Sequence, residues 1–302
     1  MVITTSSRTF VDTVDSVKST ITMIAEGNDR LVSYHWQYNY SKAAESFDLD
    51  LLPTYAFKVH FVFDPSEKFD MPPIVWLGEP LTILVWEDED AVVRLGYSSP
   101  VYFRERYSQS LRSYPDEDLD RVEAELQELA REATGAEVNA TISIDSEFLD
   151  DLAVITVPSN MSVRETHDAI RYELLSMEEV TYVNPRRVLS SANDFDISVS
   201  LIFFGIPSLD TLLMRERRTA AVDLPLRIIT YYCGGQTFVA YDDPSVITRR
   251  HNIVGQDHTV AKLSKLFGNL ASIGVNGPPP TPTSPDEIPS SVTADAPSIA
   301  IS

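Results

Sequence analysis

The sequence predicts an α+β protein made of two tandem copies of one small domain, each an antiparallel sheet with helices, packed against each other as an intrachain pseudo-dimer. Three observations predict it. The chain repeats itself: Pro80-Leu81-Thr82-Ile83 is answered by Pro225-Leu226-Arg227-Ile228, and Tyr97-Ser98-Ser99-Pro100 by Tyr241-Asp242-Asp243-Pro244. A helical stripe follows each time at the same offset, Leu119, Val122, Leu126 and Leu129 and then Leu263, Leu266, Leu270 and Ile273, with Arg106 matched by Arg250. A match held through a strand, a turn and a helix marks a repeated unit. Finally, residues 226–241 read as two strands with no helix between them, which breaks the strict strand–helix alternation of a parallel sheet and leaves α+β.

The second copy reads clearly. Residues 152–157 are a short apolar strand closed by Pro158. Ser162 caps the next helix, with Glu165 three residues on to complete a capping box, and Val163, Thr166, Ile170 and Leu174 fall at helical spacing. A strand around 181–183 meets Pro185 and continues towards Leu189, and 197–204 is a longer apolar strand ended by Gly205-Ile206-Pro207. Residues 209–221 read as helical. Pro225 opens the strand 226–232, Gly234-Gly235 is a hairpin turn, and 237–241 return. Pro244 suits the first turn of a helix, and 260–273 form the last amphipathic helix.

The first copy keeps this order. Val2–Thr5 is a strand, and Phe10, Val14, Val17, Ile21 and Ile24 line a helix. Tyr34, Trp36, Tyr38 and Tyr40 alternate with His35, Gln37 and Asn39, as on a strand edge; stacking of a planar ligand is the other reading of so aromatic a run. Phe57, Val59, Phe61 and Phe63 alternate with Lys58, His60 and Val62, predicting a half-buried strand. Asp64-Pro65 stands opposite Ile206-Pro207. Residues 81–86 and 92–97 make a hairpin around the acidic turn Glu87-Asp88-Glu89-Asp90, and a long helix runs from about Ser113 to Ala133, ended by Gly135. The expected organisation is therefore 1–135 as the first copy, 136–151 as a structured join, 152–274 as the second copy and 275–302 as a tail. The tail is rich in Pro, Ser and Thr and too poor in apolar clusters to offset its ordering entropy, which predicts disorder.

Composition bounds the function. The 302 residues, 43% apolar and 10% aromatic, suffice for two cores. No stretch approaches the roughly 18 apolar residues that span a bilayer, and no secretory signal opens the chain, so a cytoplasmic location is expected. The charge is −21, with 45 acidic residues against 24 basic ones, of which only six are Lys. Such a surface repels itself unless salt screens it, and it resembles the surfaces of haloarchaeal cytoplasmic proteins. It predicts no nucleic-acid and no membrane partner, since both need clustered cations. Cys233 is the lone cysteine, which excludes an intrachain disulfide and thiolate zinc sites. No phosphate loop, nucleophile elbow or metal-ligand spacing appears, so no cofactor and no metal are expected.

The order Phe204-Gly205-Ile206-Pro207-Ser208-Leu209, Leu213-Met214, Ala220-Ala221-Val222-Asp223-Leu224-Pro225-Leu226 and Tyr241-Asp242-Asp243-Pro244 to Arg250-His251 resembles the family catalogued as domain of unknown function 302, over roughly residues 150 to 272. The first copy looks like a diverged member that keeps Asp64-Pro65, Pro80-Leu81, Tyr97 and Pro100. The resemblance implies a small α+β domain similar to the TATA-binding-protein-like arrangement, often paired as a dimer. It implies no activity.

Five residues stand out as candidate ligand-binding residues: Asp223, Arg227, Tyr241, Arg250 and His251. Asp223 reads either as a charged partner of Arg227 facing a pocket or as a turn former before Pro225. His251 suits a general base oriented by a carboxylate, and the first copy has Tyr107 in its place, so the repeated fold does not demand the histidine. Asp242 and Asp243 read as helix N-terminal acids, and Cys233 has no adjacent cation to activate it. The leading expectation is a non-enzymatic module that binds a small ligand or a protein partner, with homo-oligomerisation possible. The competing one is an enzyme with a pocket around Asp223, Arg227, Tyr241 and His251.

Overall fold

A computed structural model of the protein describes residues 1–26, 32–61, 73–106, 116–138, 154–188 and 199–276. The first half contains β1 (Val2–Thr5), α1 (Phe10–Glu26), β2 (Val32–Asn39), α2 (Tyr40–Glu45), β3 (Thr54–Phe61), a 3₁₀ turn (Pro73–Leu77), β4 (Leu81–Glu87), β5 (Val93–Tyr97), α3 (Pro100–Arg106) and α4 (Asp116–Thr134). The second contains β6 (Val154–Ser159), α5 (Val163–Ser176), β7 (Tyr182–Val188), β8 (Val199–Gly205), α6 (Pro207–Glu216), a 3₁₀ turn (Arg218–Val222), β9 (Leu226–Cys233), β10 (Gln236–Asp242), α7 (Ser245–Arg250) and α8 (Asp257–Asn276). The two sheets have the orders β1-β5-β4-β3-β2 and β6-β10-β9-β8-β7, with every pairing antiparallel. Strand for strand, the two halves share one topology.

Each sheet buries one face under two helices. In the first half Val17, Ile21, Val122 and Leu126 of α1 and α4 meet Phe57, Ile83, Val85 and Leu95. In the second, Ile170, Leu174, Leu263 and Leu270 of α5 and α8 meet Ile202, Phe204, Ile228 and Val239. Small polar contacts repeat as well: Ser6 and Thr13 share a hydrogen bond of 2.7 Å, as do Ser159 and Thr166 at the same points of the second half. The Ser162–Glu165 capping box at the start of α5 is present in full. Gly234 and Gly235 turn the β9–β10 hairpin with φ of +58° and +89°, both in the left-handed region that glycine adopts freely.

The other face of each sheet is covered by the opposite half. Leu77 of the first 3₁₀ turn packs with Leu201, Phe203, Ile229 and Ala240, while Ala220–Val222 of the second pack with Ala56, Leu84 and Trp86. Polar groups cross in both directions. Lys58 Nζ donates to the Leu224 carbonyl at 2.5 Å, and the Thr82 hydroxyl donates to the Val222 carbonyl at 2.7 Å. In return, Arg227 Nη1 donates to the carbonyls of Leu77 at 2.7 Å and Glu79 at 3.4 Å. In the repeat, Arg227 is the counterpart of Thr82, and Leu77 and Glu79 are the counterparts of Val222 and Leu224, so the two halves reach for equivalent carbonyls of one another.

This packing revises three local expectations. Strand β3 is not half-buried: Lys58, on its polar side, is fully buried because the second half covers that face. The single helix expected over 209–221 is two pieces, since Arg217 is extended (φ −148°) and redirects the chain so that Ala220–Val222 lie on the first sheet. Strand β6 does not stop at Pro158 but runs through it to Ser159; like β7, which continues through Pro185 as expected, it is an edge strand, where a missing N–H is tolerated. Trp36 and Tyr40 of the aromatic run are buried, with Trp36 and Tyr38 packed on Tyr182 of the second half. Val62, Phe63, Asp64-Pro65, Tyr107, the start of the helix expected at Ser113, most of the join and the tail from 277 onward lie outside the described residues.

Candidate functional site

The 3₁₀ turn Arg218–Val222 ends at Asp223, whose N–H closes the turn on the Ala220 carbonyl, so the turn-forming reading of Asp223 holds for its backbone. Its side chain does more. One carboxylate oxygen accepts from Arg250 Nη1, and the other lies 2.7 Å from His251 Nε2. Burial alone would raise the Asp223 carboxyl; Arg250 and His251, with Arg227 beyond them, outweigh it and hold Asp223 far below the usual carboxylate range. His251 is lowered from its ordinary value, by burial first and against the pull of Asp223. It is therefore neutral near pH 7, donating from Nε2 to Asp223 and accepting at Nδ1 from the Thr219 hydroxyl at 3.0 Å.

Asp223, Arg227 and Arg250 form part of a two-lobed cleft at the junction of the halves. One lobe lies between the β4–β5 side of the first half and the end of the second 3₁₀ turn. The second lobe opens towards α7 and Phe267, and the two share a floor of Arg106, Asp223, Arg227 and Asp242. Arg106, on α3 of the first half, reaches across to Asp242 on β10 through Nη2 and lies 3.4 Å from the Tyr102 hydroxyl. Arg250, its counterpart in the repeat, lays its guanidinium carbon 3.9 Å above the centre of the Tyr102 ring. The Arg250 side chain is only 9% exposed, and its Nη2 is buried with no hydrogen-bonding partner among the described residues.

Of the five residues singled out from the sequence, Asp223, Arg250 and His251 form one bonded cluster, and Arg227 shares the cleft with the first two. His251 stands behind Asp223, off the cleft wall. Tyr241 is elsewhere: its ring stacks on Phe267 at 4.7 Å and 9° and lines neither lobe. Its counterpart Tyr97 makes a polar contact at the same place, donating to Glu123 at 2.6 Å, and Ser99 donates to the other oxygen of Glu123 at 2.7 Å. The sequence reading missed Arg106 and Tyr102 as site residues and took Asp242 for a helix N-terminal acid. The signal for Arg106 was its match to Arg250 in the sequence, at the offset that also relates Tyr97 to Tyr241. Among the described residues no group of three or more His, Cys, Asp or Glu is placed to hold a metal ion.

Comparison with known proteins places the second half. Residues 155–270 match the family described as domain of unknown function DUF302. The second half is a DUF302 domain. A crystal structure of an uncharacterized conserved DUF302 protein from Bacillus stearothermophilus is similar at a TM-score of 0.36 and 16% identity, covering 41% of this chain and 98% of that one. Two curated relatives are each 31% identical over 106 residues, or 34% of this chain: fluoride-specific ion channel FluC 1 of Brucella suis biovar 1 and FluC 2 of Brucella melitensis biotype 1. The chain spans about two-fifths of their length, 42% and 39%. No helix among the described residues is long and apolar enough to cross a membrane. The cleft is built from both sides of the junction, so the DUF302 domain supplies Asp223, Arg227, Asp242 and Arg250 and the first half supplies Arg106 and Tyr102.

Proposed function

We propose that this protein is a non-enzymatic binding module that holds a small anion in the junction cleft. The observation that carries this reading is the buried, unpartnered Nη2 of Arg250 in a cleft whose floor holds two further arginines. A buried donor without an acceptor costs about 1–3 kcal/mol, and an anion would satisfy it. The enzyme reading has less support, because both ring nitrogens of His251 are engaged and Tyr241 lines neither lobe of the cleft. The partial match to proteins named as fluoride-specific ion channels adds fluoride to the anions worth testing. Titration calorimetry of the full chain with formate, acetate, fluoride, chloride, sulfate and phosphate tests the proposal. At least one should bind saturably, and Arg250→Gln should weaken it tenfold or more; no binding by any of them, or unchanged binding by the variant, overturns the reading.

Two broader readings belong with it. The shared strand order, the matched Ser–Thr pairs and the reciprocal carbonyl contacts support descent of both halves from one duplicated DUF302 domain, with 1–135 as the diverged copy and 152–274 as the conserved one. The charge of −21 with six lysines supports life in a salt-rich cytoplasm, as in a haloarchaeon.

A further inference from the structure

Resting on that reading, we infer that the ligand of the cleft is a small anion carrying a single negative charge, a monocarboxylate or a halide, and not a phosphate or other dianion. The charges on the cleft wall set this limit. Arg106, Arg227 and Arg250 face Asp223 and Asp242, so three guanidiniums meet two carboxylates and one positive charge is left over. Arginine stays protonated at any accessible pH, so that excess is permanent. A monoanion cancels it. A dianion reverses it, leaving a largely desolvated site with uncompensated negative charge, which is costly in a low-dielectric setting.

The groups one layer out tighten the limit. Glu123 does not line the cleft, and its two oxygens are held by the hydroxyls of Tyr97 and Ser99, so it can only add negative potential. His251 is neutral near pH 7, and the Met1 amine, lowered to about 6 by burial and then by Arg250, is largely uncharged at pH 7.5, so neither compensates. Lys58 is lowered well below its ordinary value by burial and then by Arg227, and its Nζ is given to the Thr82 hydroxyl and the Leu224 carbonyl, off the cleft wall. Hydrogen bonding supplies the anchor. The Ser99 hydroxyl, though on the wall, is given to Glu123, and Arg227 Nη1 is given to the carbonyls of Leu77 and Glu79. Nη2 of Arg250 is buried on this wall with no hydrogen-bonding partner among the described residues, so it is a donor left for the anion.

The test compares formate, acetate, fluoride and chloride with sulfate and phosphate on the full chain, at pH 7.5 and one matched low ionic strength. The expected result is that the best monoanion binds at least tenfold more tightly than either dianion; the formate and acetate arms separate a carboxylate ligand from the halide arms. Asp242→Asn, which raises the excess to two positive charges, should narrow that gap by tenfold or more. Tighter binding of sulfate or phosphate by the wild-type protein, or a gap unmoved in a folded Asp242→Asn protein, would overturn the inference while leaving Arg250-dependent anion binding intact. Should no anion bind at all, the underlying anion-binding reading falls with it. If Asp242→Asn does not fold, the wild-type ranking alone decides.

Discussion

Asp210 shows how far one residue departs from its ordinary chemistry in this fold. It lies near the start of α6 and is almost fully buried; one oxygen accepts from the Ile206 N–H at 3.0 Å, and the other meets no hydrogen-bonding partner among the described residues. Burial pushes its carboxyl up to about 8, against the smaller opposing effect of that N–H. The folded protein therefore keeps a proton that the unfolded chain gives up near pH 4. Because the folded value is raised, the group destabilises the fold increasingly as pH climbs from about 4 to about 8, and the effect is absent below about 4. Asp210→Asn keeps an acceptor for Ile206 without needing the proton. It should stabilise the protein by a few kcal/mol at pH 7–8 and by nothing measurable near pH 4. Chemical denaturation at the two pH values checks this; an equal effect at both would show that Asp210 carries no bound proton.

Among the elements, α8 and β6 meet most tightly at Gly274. The Gly274 carbonyl accepts from the Asn160 N–H at 2.8 Å and from the Ser159 hydroxyl at 3.2 Å, and a Cβ at this position would sit 2.7 Å from Ser159 Oγ. Gly274→Ala should therefore cost about 1–3 kcal/mol, although alanine is the better helix former. A thermal melt at or above wild type would refute the close approach. The stripe Leu263, Leu266, Leu270, Ile273 was legible because helical spacing is a local signal, as were the Gly234-Gly235 hairpin and the capping box at Ser162. The need for glycine at 274 was not, since it depends on a strand more than a hundred residues earlier. The burial of Lys58 and the meeting of Arg106 with Asp242 escaped for the same reason: both belong to the surface between the halves, where local periodicity carries no information. In the cleft, Asp223, Arg227 and Arg250 were readable as unusual charges beside a turn and a repeated motif. That Tyr241 would turn to Phe267 was not readable, because an aromatic residue at a strand end suits a core and a pocket equally.

At the scale of the whole molecule, self-repulsion is the dominant unbalanced force. A charge of −21 spread over the chain opposes compaction in dilute buffer, and at about 1 M salt the Debye length shrinks to about 3 Å, shorter than most distances between surface carboxylates. The melting temperature should therefore rise by about 5 °C or more between dilute buffer and 1 M KCl. Differential scanning calorimetry over that range decides it, and a flat or falling trend removes the argument for a salt-rich setting. The junction should feel this less than the surface does, because its cations are buried and directed at carbonyls and carboxylates only a hydrogen bond away.

The carbonyl contacts across that junction have one more consequence. A dimer of identical chains must write the same residue into both of its matching places, and any substitution there strikes twice. Here the two places are spelled separately: Lys58 and Thr82 serve one crossing, Arg227 the other. A mutation of Arg227 leaves the Lys58 side whole, so the association of the halves weakens by steps instead of failing at once. One crossing is thus free to acquire a second employment while its twin keeps the halves together, and it is the arginine side that lines the cleft.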